Sequence, residues 1–562
     1  MVKKLFSVVN KEISSFYQSA LILGAFTLLA QFIGLFRDRL LVQVVGLGND
    51  LDVYNASFKV PDIMFALGAS LISVNILIPY LRSKKQNLKE GESEYGFLYS
   101  VLLTFGVFMV GVSVILFVAI PFLTPLLVPG FTDIQVDHYV HMVRIILLSP
   151  ILMGLASKFS AILQYEHKIL PVAMAPVLYN LGIIFGTLVL YPIMGPIGLS
   201  MGVICGALFS FTFQGIISYS SLKKIFAKRV FIIQDVRSIF ASSIPRTLAL
   251  MMSTITFTGL TALASVIAPG SISRLQLAYI LQGVPLSLVG ISFAVAAFPR
   301  LSEYFSDHKM PEFGKLLSNV VSSIIVWISP MMVLMILLRA HIVRLIFGVS
   351  NVSWTSTRII AAALGLFSIS LLAQGILQLA LRTYYAIGET KRPFIQAVIS
   401  SIITLASGAG MFFLAKSNAP LWREFTQFIK IPATSESYIV LLALAFSFGS
   451  LINMMIAWLP LVGRFMPEFD EKFSQVCMHV ALALTGAVAS ASIVLHLIGS
   501  IVTLDTGFAV LLHGGAAGLT AIAIYMLIMV LLENEEVLNM IKSVRQKFGF
   551  KDTDYIEEQG IE

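Results

Sequence analysis

The sequence of 562 residues has little charge, because Asp, Glu, Lys and Arg make up only 12% of it. Soluble globular domains carry roughly 25%. The longest loops, near 82–96, 221–237 and 416–436, have about 15–20 residues each, whereas a separate domain needs about 50 or more. These absences argue against a soluble protein and against a membrane enzyme with an extramembrane catalytic domain.

Cysteine is nearly absent too, with Cys205 and Cys477 as the only two, both inside apolar runs. Because there is no CxxC pair and no Cys/His cluster, we expect no disulfide framework, no metal site and no cofactor. The N-terminal segment has no small-residue cleavage site ahead of its first apolar block. We therefore predict an uncleaved first span rather than a signal peptide.

Hydrophobic residues make up 57% of the chain and are gathered in long blocks. About fourteen of these blocks reach the roughly 20 residues that a helix needs to cross a bilayer. We predict an all-α polytopic membrane protein. Its spans, numbered in chain order, lie near 20–45, 53–81, 97–128, 136–165, 169–192, 195–220, 238–268, 275–303, 316–348, 357–387, 393–415, 437–463, 473–500 and 508–533.

The net charge of +8 comes from basic residues in the loops between the spans. With the N-terminus inside, the inner segments carry roughly 24 Lys and Arg and the outer segments roughly four, which is the bias of cytoplasmic loops. The bias predicts that both termini are cytoplasmic. It also explains the basic composition without nucleic acid as a partner.

The first span carries charges at membrane depth in "QFIGLFRDRLLVQVVG", residues 31–46. At about 100° per residue, Gln31, Gly34, Arg37 and Asp38 share one side of the helix. Charges inside a membrane are costly and face a protein interior or a wet cavity. Two interpretations stay open: Arg37 and Asp38 bind a substrate, or each pairs with a neighbouring helix and only stabilises the bundle.

The second span is also charged, in "NDLDVYNASFKVPDIMFALGAS". Asp50 and Asp52 stand at its outer start, and Lys59 and Asp62 lie three residues apart within it, where they could pair with each other. Pro61 removes a backbone hydrogen bond from the helix. A broken, charged helix beside a charged first helix is typical of a cavity wall.

Cations outnumber anions at depth, which favours an anionic substrate such as a phosphate. Arg246, after Pro245 near the cytoplasmic end of the seventh span, could meet a phosphate or a lipid headgroup. The fourth-to-fifth and tenth-to-eleventh spans are joined by similar Tyr- and Lys-containing hairpins before Pro171 and Pro393. They suggest an internal duplication, as in many transporters.

The chain resembles the MurJ (MviN) family of lipid II flippases, within the multidrug, oligosaccharidyl-lipid and polysaccharide exporters. The resemblance covers roughly the first 400 residues and rests on five stretches: "GLFRDRLLVQVVGLGNDLDVYNASFKVPD", "FALGASLISVNILIPYL", "SPILMGLASKFSAILQYEHKILPVAMAPVLYN", "PGSISRLQLAYILQGVPLSLVGISFAVAAFPRLSEYF" and "YYAIGETKRPF".

The resemblance implies a MATE-like fold of two six-helix lobes, 1–220 and 221–465, with two extra helices at 466–535 and a cytoplasmic tail at 536–562. It implies a transporter of the bacterial inner membrane and not an enzyme. The expected activity is translocation of undecaprenyl-pyrophosphate-linked peptidoglycan precursor from the inner to the outer leaflet by alternating access. The expected partners are this lipid and membrane lipids, while the driving force and oligomeric state stay open.

By this resemblance Arg37, Asp38, Asp52, Lys59 and Pro61 match family positions. The chain departs from the pattern elsewhere, because Gln31 and Ile280 stand where the family has arginines and the segment 62–65 is shortened and lacks an arginine pair. The candidate substrate-binding residues are Arg37, Asp38, Asp52, Lys59, Arg246 and Gln31. Arg246, Lys158 or Arg144 could replace the missing cations.

The missing arginines leave room for a different cargo on the same fold, such as an O-antigen or teichoic-type polyprenyl-linked oligosaccharide. A membrane-embedded glycan-processing enzyme would need a carboxylate at the outer face, for which Asp50 and Asp52 are the compact candidates. An envelope scaffold without transport activity is a further alternative.

Overall fold

A computed structural model describes residues 16–71, 94–227, 233–349, 351–466, 471–501 and 506–547. In this part of the chain every regular element is a helix. The main helices are Phe16–Val45, Asn49–Ser57, Lys59–Leu71, Glu94–Leu127, Asp133–Ile146, Leu148–Tyr165, Ile169–Phe185, Pro196–Ile217, Ile233–Ser265, Ser271–Pro285, Ser292–Ser306, Met310–Leu337, Arg339–Phe347, Trp354–Ser368, Leu371–Ala386, Lys391–Ser417, Ala419–Phe428, Ile439–Phe465, Glu471–Gly499, Gly507–Leu531 and Glu535–Lys547.

The described residues contain 11 helices long and apolar enough to cross a membrane, or up to 12 when the pair bent by 44° at residues 369–370 is one span. The helix Phe16–Val45 coincides with the first predicted span. The broken helix from Asn49 to Leu71 covers the first part of the second predicted span, of which 72–81 lie outside the described residues. These two carry the charges noted above. The predicted all-helical polytopic membrane fold is confirmed.

Many apolar side chains point outward, as a protein in lipid requires. Within Leu98–Leu127 only 22% of the most apolar window is buried. Its large exposed side chains include Val107, Val114, Ile115 and Phe122. A soluble helix of this length would turn such side chains inward, so these faces fit a hydrocarbon environment.

One compact unit comprises Met1–Leu277, Val349–Ile359 and Thr390–Ala445. In it the helix Ile169–Phe185 packs on Pro196–Ile217 through facing glycines. A Cβ added at Gly182 would overlap the backbone of Gly206, and one added at Gly186 would overlap Gly202. We call these two glycine pairs the glycine seam, in which backbones approach as in other membrane helix pairs.

The other compact unit comprises Ala278–Gly348, Ile360–Glu389 and Phe446–Glu562. In it the helices Glu471–Gly499 and Gly507–Leu531 pack against each other, and the first of them packs on Met310–Leu337. Tyr525 donates a hydrogen bond to the carbonyl of Val326 at 2.7 Å. The two helices predicted at 466–535 are therefore attached to the ninth span. The lobe bounds 1–220 and 221–465 stay a prediction.

The second span is interrupted at Phe58, between Asn49–Ser57 and Lys59–Leu71. Pro61 lacks an N–H, so it cannot donate to the carbonyl of Ser57 four residues earlier. The Asp62 amide reaches the carbonyl of Phe58 at 2.7 Å and restarts the helix. Polar side chains lie in both halves of this span, before and after the break.

Candidate functional site

Arg37 lies in the first span with its guanidinium held by two side chains. Its Nε and Nη2 donate to Oδ1 of Asp38 at 2.9 and 2.7 Å, and its Nη1 donates to Oδ1 of Asn180 at 2.8 Å. Asn180 in turn donates to the carbonyl of Ala30 at 3.3 Å. The Arg37–Asp38 pair of the first span is thus linked through Asn180 to the fifth span.

Burial differs between the two charged partners. Asp38 has 7% of its side chain exposed, whereas Arg37 keeps 21%. A Cβ added at Gly34 would lie 3.8 Å from Nδ2 of Asn180, so Gly34 faces the same neighbour. Gln31 is half-buried one turn earlier. Among the described residues, one hydrogen on each terminal nitrogen of Arg37 is engaged, which leaves the other for a further acceptor.

A cleft of about 190 Å³ lies in the same compact unit, and its lining does not include Arg37, Asp38 or Asn180. Tyr179, the neighbour of Asn180, lies on its wall and is hydrogen-bonded with Ser149. The wall also includes Asp62 and Pro61 from the broken second span. Asp62, Ser149 and Tyr179 are the polar members of a lining that is otherwise apolar.

Asp52 has a different setting, because it caps a helix. Its carboxylate accepts from the backbone N–H groups of Gly270 at 2.6 Å and Ser273 at 2.8 Å, and from the Ser273 hydroxyl at 2.6 Å. These N–H groups belong to the start of the helix Ser271–Pro285 and have no partner within it. A carboxylate there is also favoured by the helix dipole.

Two more side chains of the second span reach the same stretch. Asn55 donates to the Ser273 hydroxyl at 3.1 Å, and Lys59 donates to Oε1 of Gln276 at 2.9 Å. Lys59 also lies 4.8 Å from the centre of the Phe257 ring. We call the contacts of Asp52, Asn55 and Lys59 with residues 270–276 the polar seam. Lys59 therefore bonds Gln276 rather than pairing locally with Asp62.

Arg274 extends the polar seam toward two further loops. Its side chain is only 5% exposed and lies 2.9 Å from the carboxylate of Glu436. It also donates to the Ser356 hydroxyl at 3.1 Å and to the carbonyl of Pro269 at 3.0 Å. Asn351 donates to the carbonyl of Gln43 at 2.6 Å. The segments around residues 52, 270, 356 and 436, which are predicted near the outer face, are thus joined in one network.

The remaining sequence candidates lie elsewhere. The side chain of Arg246 is outside the described residues. Arg144 donates to the carbonyl of Phe117 at 3.2 Å and stacks on that ring, and Lys158 lies 4.5 Å from the centre of the Phe105 ring. Both of these ring contacts are with residues of the helix Glu94–Leu127.

Several residues of the site were not predicted as candidates. These are Asn180, Tyr179, Ser273, Arg274 and Glu436. Arg274 carried a signal, since an arginine follows "PGSIS" in a stretch that opens an apolar span. Asn180 and Glu436 carried none, because their partners lie far away in sequence.

Comparisons with known proteins identify the family of the chain. The family model described as lipid II flippase MurJ matches residues 41–514. The chain belongs to the MurJ family. That family consists of multi-pass inner-membrane transporters and not of enzymes, so the predicted family and transporter class are confirmed.

Individual matches are distant. A probable lipid II flippase MurJ of Rhizobium tropici is 22% identical over 403 residues, covering 69% of this chain and 74% of the relative. A solved structure described as lipid II flippase MurJ in an inward closed conformation has a TM-score of 0.68 at 21% identity and covers 93% of this chain and 100% of that one. An inward-facing MATE family transporter has a TM-score of 0.61 at 13% identity, covering 78% and 95%. The fold is that of MurJ and MATE transporters.

Proposed function

We propose that this protein carries lipid II, the polyprenyl-pyrophosphate-linked peptidoglycan precursor, from the inner to the outer leaflet of the cytoplasmic membrane. The observation that carries the proposal is the Arg37–Asp38–Asn180 cluster within the first and fifth spans, near a cleft to which Tyr179, the neighbour of Asn180, contributes. Family membership supports the substrate class. In the predicted topology both termini are cytoplasmic and the first span crosses the membrane, so the cluster lies on the path from the inner to the outer leaflet.

In this proposal Arg37 binds the diphosphate. The unused hydrogen on each terminal nitrogen would form a fork to two phosphate oxygens, which guanidinium geometry favours. Asp38 and Asn180 hold the guanidinium plane in place. The polyprenyl tail stays in lipid, so only the polar headgroup enters the cleft.

The polar seam would serve as the outer closure. It joins loops predicted on the outer face through Asp52, Arg274 and Glu436. Alternating access requires this closure to open when substrate leaves to the outer leaflet. Polar contacts suit that role, because water replaces each lost hydrogen bond at a modest net cost of about 1 kcal/mol.

A different lipid-linked glycan is the second candidate. By the resemblance, Gln31 and Ile280 stand where the family has arginines, which lowers the positive charge available for a diphosphate. Arg274, on the same helix as Ile280, is engaged with Glu436 and Ser356. An enzymatic pair of Asp50 and Asp52 is disfavoured, since Asp50 accepts from the Tyr191 hydroxyl at 3.2 Å while Asp52 caps a helix.

The test is a flipping measurement with purified protein in liposomes. Arg37→Ala should slow lipid II translocation about 10- to 100-fold, the effect of losing one or two charged hydrogen bonds. Arg423→Gln, a change of an exposed arginine on the helix Ala419–Phe428, is the matched control and should leave the rate unchanged.

Rescue of a flippase-depleted bacterium then separates the two cargoes. Growth restored by the wild-type chain and not by Arg37→Ala supports lipid II. Well-expressed wild-type protein that neither restores growth nor moves lipid II in liposomes contradicts it and favours another glycan or a scaffold.

A further inference from the structure

A cavity of about 490 Å³ lies in the second compact unit, apart from the residues discussed so far. Three helices form it: Met310–Leu337, Glu471–Gly499 and Glu535–Lys547. Its lining is rich in charged and amide groups, among them Lys315, Asn319, Gln475, His479, Glu535 and Glu536. A wall of this composition suits a polar ligand.

The depth of the cavity follows from helix length. Met310–Leu337 has 28 residues and Glu471–Gly499 has 29. At about 1.5 Å per residue each is about 42 Å long, whereas the hydrocarbon core is about 30 Å thick. The first turns of both helices therefore stand at headgroup level, on the predicted cytoplasmic side. Lys315 and Gln475 lie in the second turn of their helices, and His479 one turn deeper.

The walls of the cavity are fixed by local contacts. Ser323 donates to Oε2 of Glu536 at 2.7 Å, which joins the terminal helix to the ninth span. Asn534 is 2% exposed, and its side chain accepts from the backbone N–H of Val537 at 3.4 Å. The carboxylates thus lie on a constrained turn. They are not on a free tail.

The charges in the cavity are of both signs and come from different helices. Lys315 is on the ninth span, whereas Glu533, Glu535 and Glu536 follow the last span. Nδ1 of His479 is buried and has no hydrogen-bond partner in the part of the chain that the structure describes. A buried polar atom without a partner is unfavourable, so a ligand group that bonds this atom would be stabilising.

A zwitterion with a primary ammonium and a phosphate diester matches this arrangement. An ammonium has three N–H donors for the carboxylates, and Lys315 and His479 can donate to phosphate oxygens. The apolar side chains of Phe473, Val476 and Leu532 complete the lining, next to the membrane. A lipid with phosphate alone would leave the carboxylates facing an anion.

We propose that this cavity binds the headgroup of a phosphatidylethanolamine-type lipid from the cytoplasmic leaflet, with its ammonium at Glu535 and Glu536 and its phosphate at Lys315. The bound lipid would join the last two spans and the terminal helix to the ninth span. The site is independent of the Arg37 cluster and of the transported cargo.

Native mass spectrometry of the full chain tests this with equimolar phosphatidylethanolamine, phosphatidylcholine and phosphatidylglycerol. We expect the ethanolamine lipid to be retained about tenfold over the others, the effect of one charged hydrogen bond. Phosphatidylcholine is the informative comparison, because its quaternary ammonium has no N–H. Equal retention of phosphatidylglycerol and phosphatidylethanolamine would overturn the proposal.

The double variant Glu535→Gln/Glu536→Gln should lose the preference, and Glu303→Gln, at an exposed carboxylate on the helix Ser292–Ser306, should keep it. An undiminished preference in the double variant contradicts the site. Should the double variant fail to fold, wild-type protein decides. Soluble glycerophosphoethanolamine should displace the retained lipid, glycerophosphoglycerol should not, and equal displacement by both would refute the proposal.

Discussion

The glycine seam and the polar seam join helices of the same compact unit by different physical means. At the glycine seam the backbones of Gly182 and Gly206 are in direct contact, with no room for a side chain. At the polar seam Asp52, Asn55 and Lys59 reach across by hydrogen bonds of 2.6–3.1 Å. Only the second kind of contact can be exchanged for water at small cost. The difference suggests that, within this one unit, the glycine seam forms a fixed wall and the polar seam forms a closure that can open.

The largest expected effect is a break in the glycine seam. Gly182→Leu would force the backbone of Gly206 away, because an added Cβ has no space there. We expect loss of folded protein, since overpacking by even small groups costs about 1–3 kcal/mol and backbone cannot yield as a side chain does. Monodispersity after detergent extraction measures it.

The matched control is Gly111→Leu, at a glycine whose added Cβ meets open space. It should leave yield and monodispersity unchanged. Normal folding of Gly182→Leu would contradict the fixed-wall interpretation.

A smaller effect is expected from Asp52→Asn. The amide keeps the shape but loses charge at the helix start and one acceptor atom, a cost of about 1–2 kcal/mol for a helix cap. The fraction of molecules in which the polar seam is open should rise about 5- to 30-fold. The alkylation rate of a cysteine at position 55, in a chain without Cys205 and Cys477, reports the opening.

Asp50→Asn is the control for that experiment, because Asp50 bonds Tyr191 and not residues 270–276. It should leave the alkylation rate of Asn55→Cys unchanged. Equal acceleration by both variants would indicate a general loosening instead of the loss of one cap.

The smallest expected effect is a difference in coupling energy between two ion pairs. Arg274–Glu436 involves an arginine side chain 5% exposed, and Arg464–Glu389 one 49% exposed. Double-mutant cycles with glutamine should give a coupling of about 1–3 kcal/mol for the first pair and below about 1 kcal/mol for the second. Thermal unfolding in detergent measures both coupling energies. Equal values would contradict the interpretation that the Arg274–Glu436 pair stabilises the closed polar seam.

The spans could be predicted from the sequence because apolar length is a local property. The first span is an example: its helix Phe16–Val45 and the shared side of Gly34, Arg37 and Asp38 follow from composition and helical period. The break of the second span near Pro61 has the same local origin. Each of these features depends on residues within a few turns.

The site could be predicted only in part. Lys59 had a plausible local partner in Asp62, yet Gln276 is 217 residues away and accepts its hydrogen bond. Asp52 was selected as a substrate ligand, whereas its contacts are with a helix start 218–221 residues later. Partner choice at such separations depends on how helices pack, which a single sequence does not encode in any local pattern.

The most direct test of the central claim is a reversible cross-link across the polar seam. Nδ2 of Asn55 and the hydroxyl of Ser273 are 3.1 Å apart, so Asn55→Cys/Ser273→Cys in a chain without Cys205 and Cys477 places two thiols close enough for a short bis-methanethiosulfonate reagent, whose bridge is longer than a direct disulfide. Cross-linking should stop lipid II flipping, and reduction should restore the rate of the untreated variant. Undiminished flipping by fully cross-linked protein would contradict the claim that this seam opens during transport.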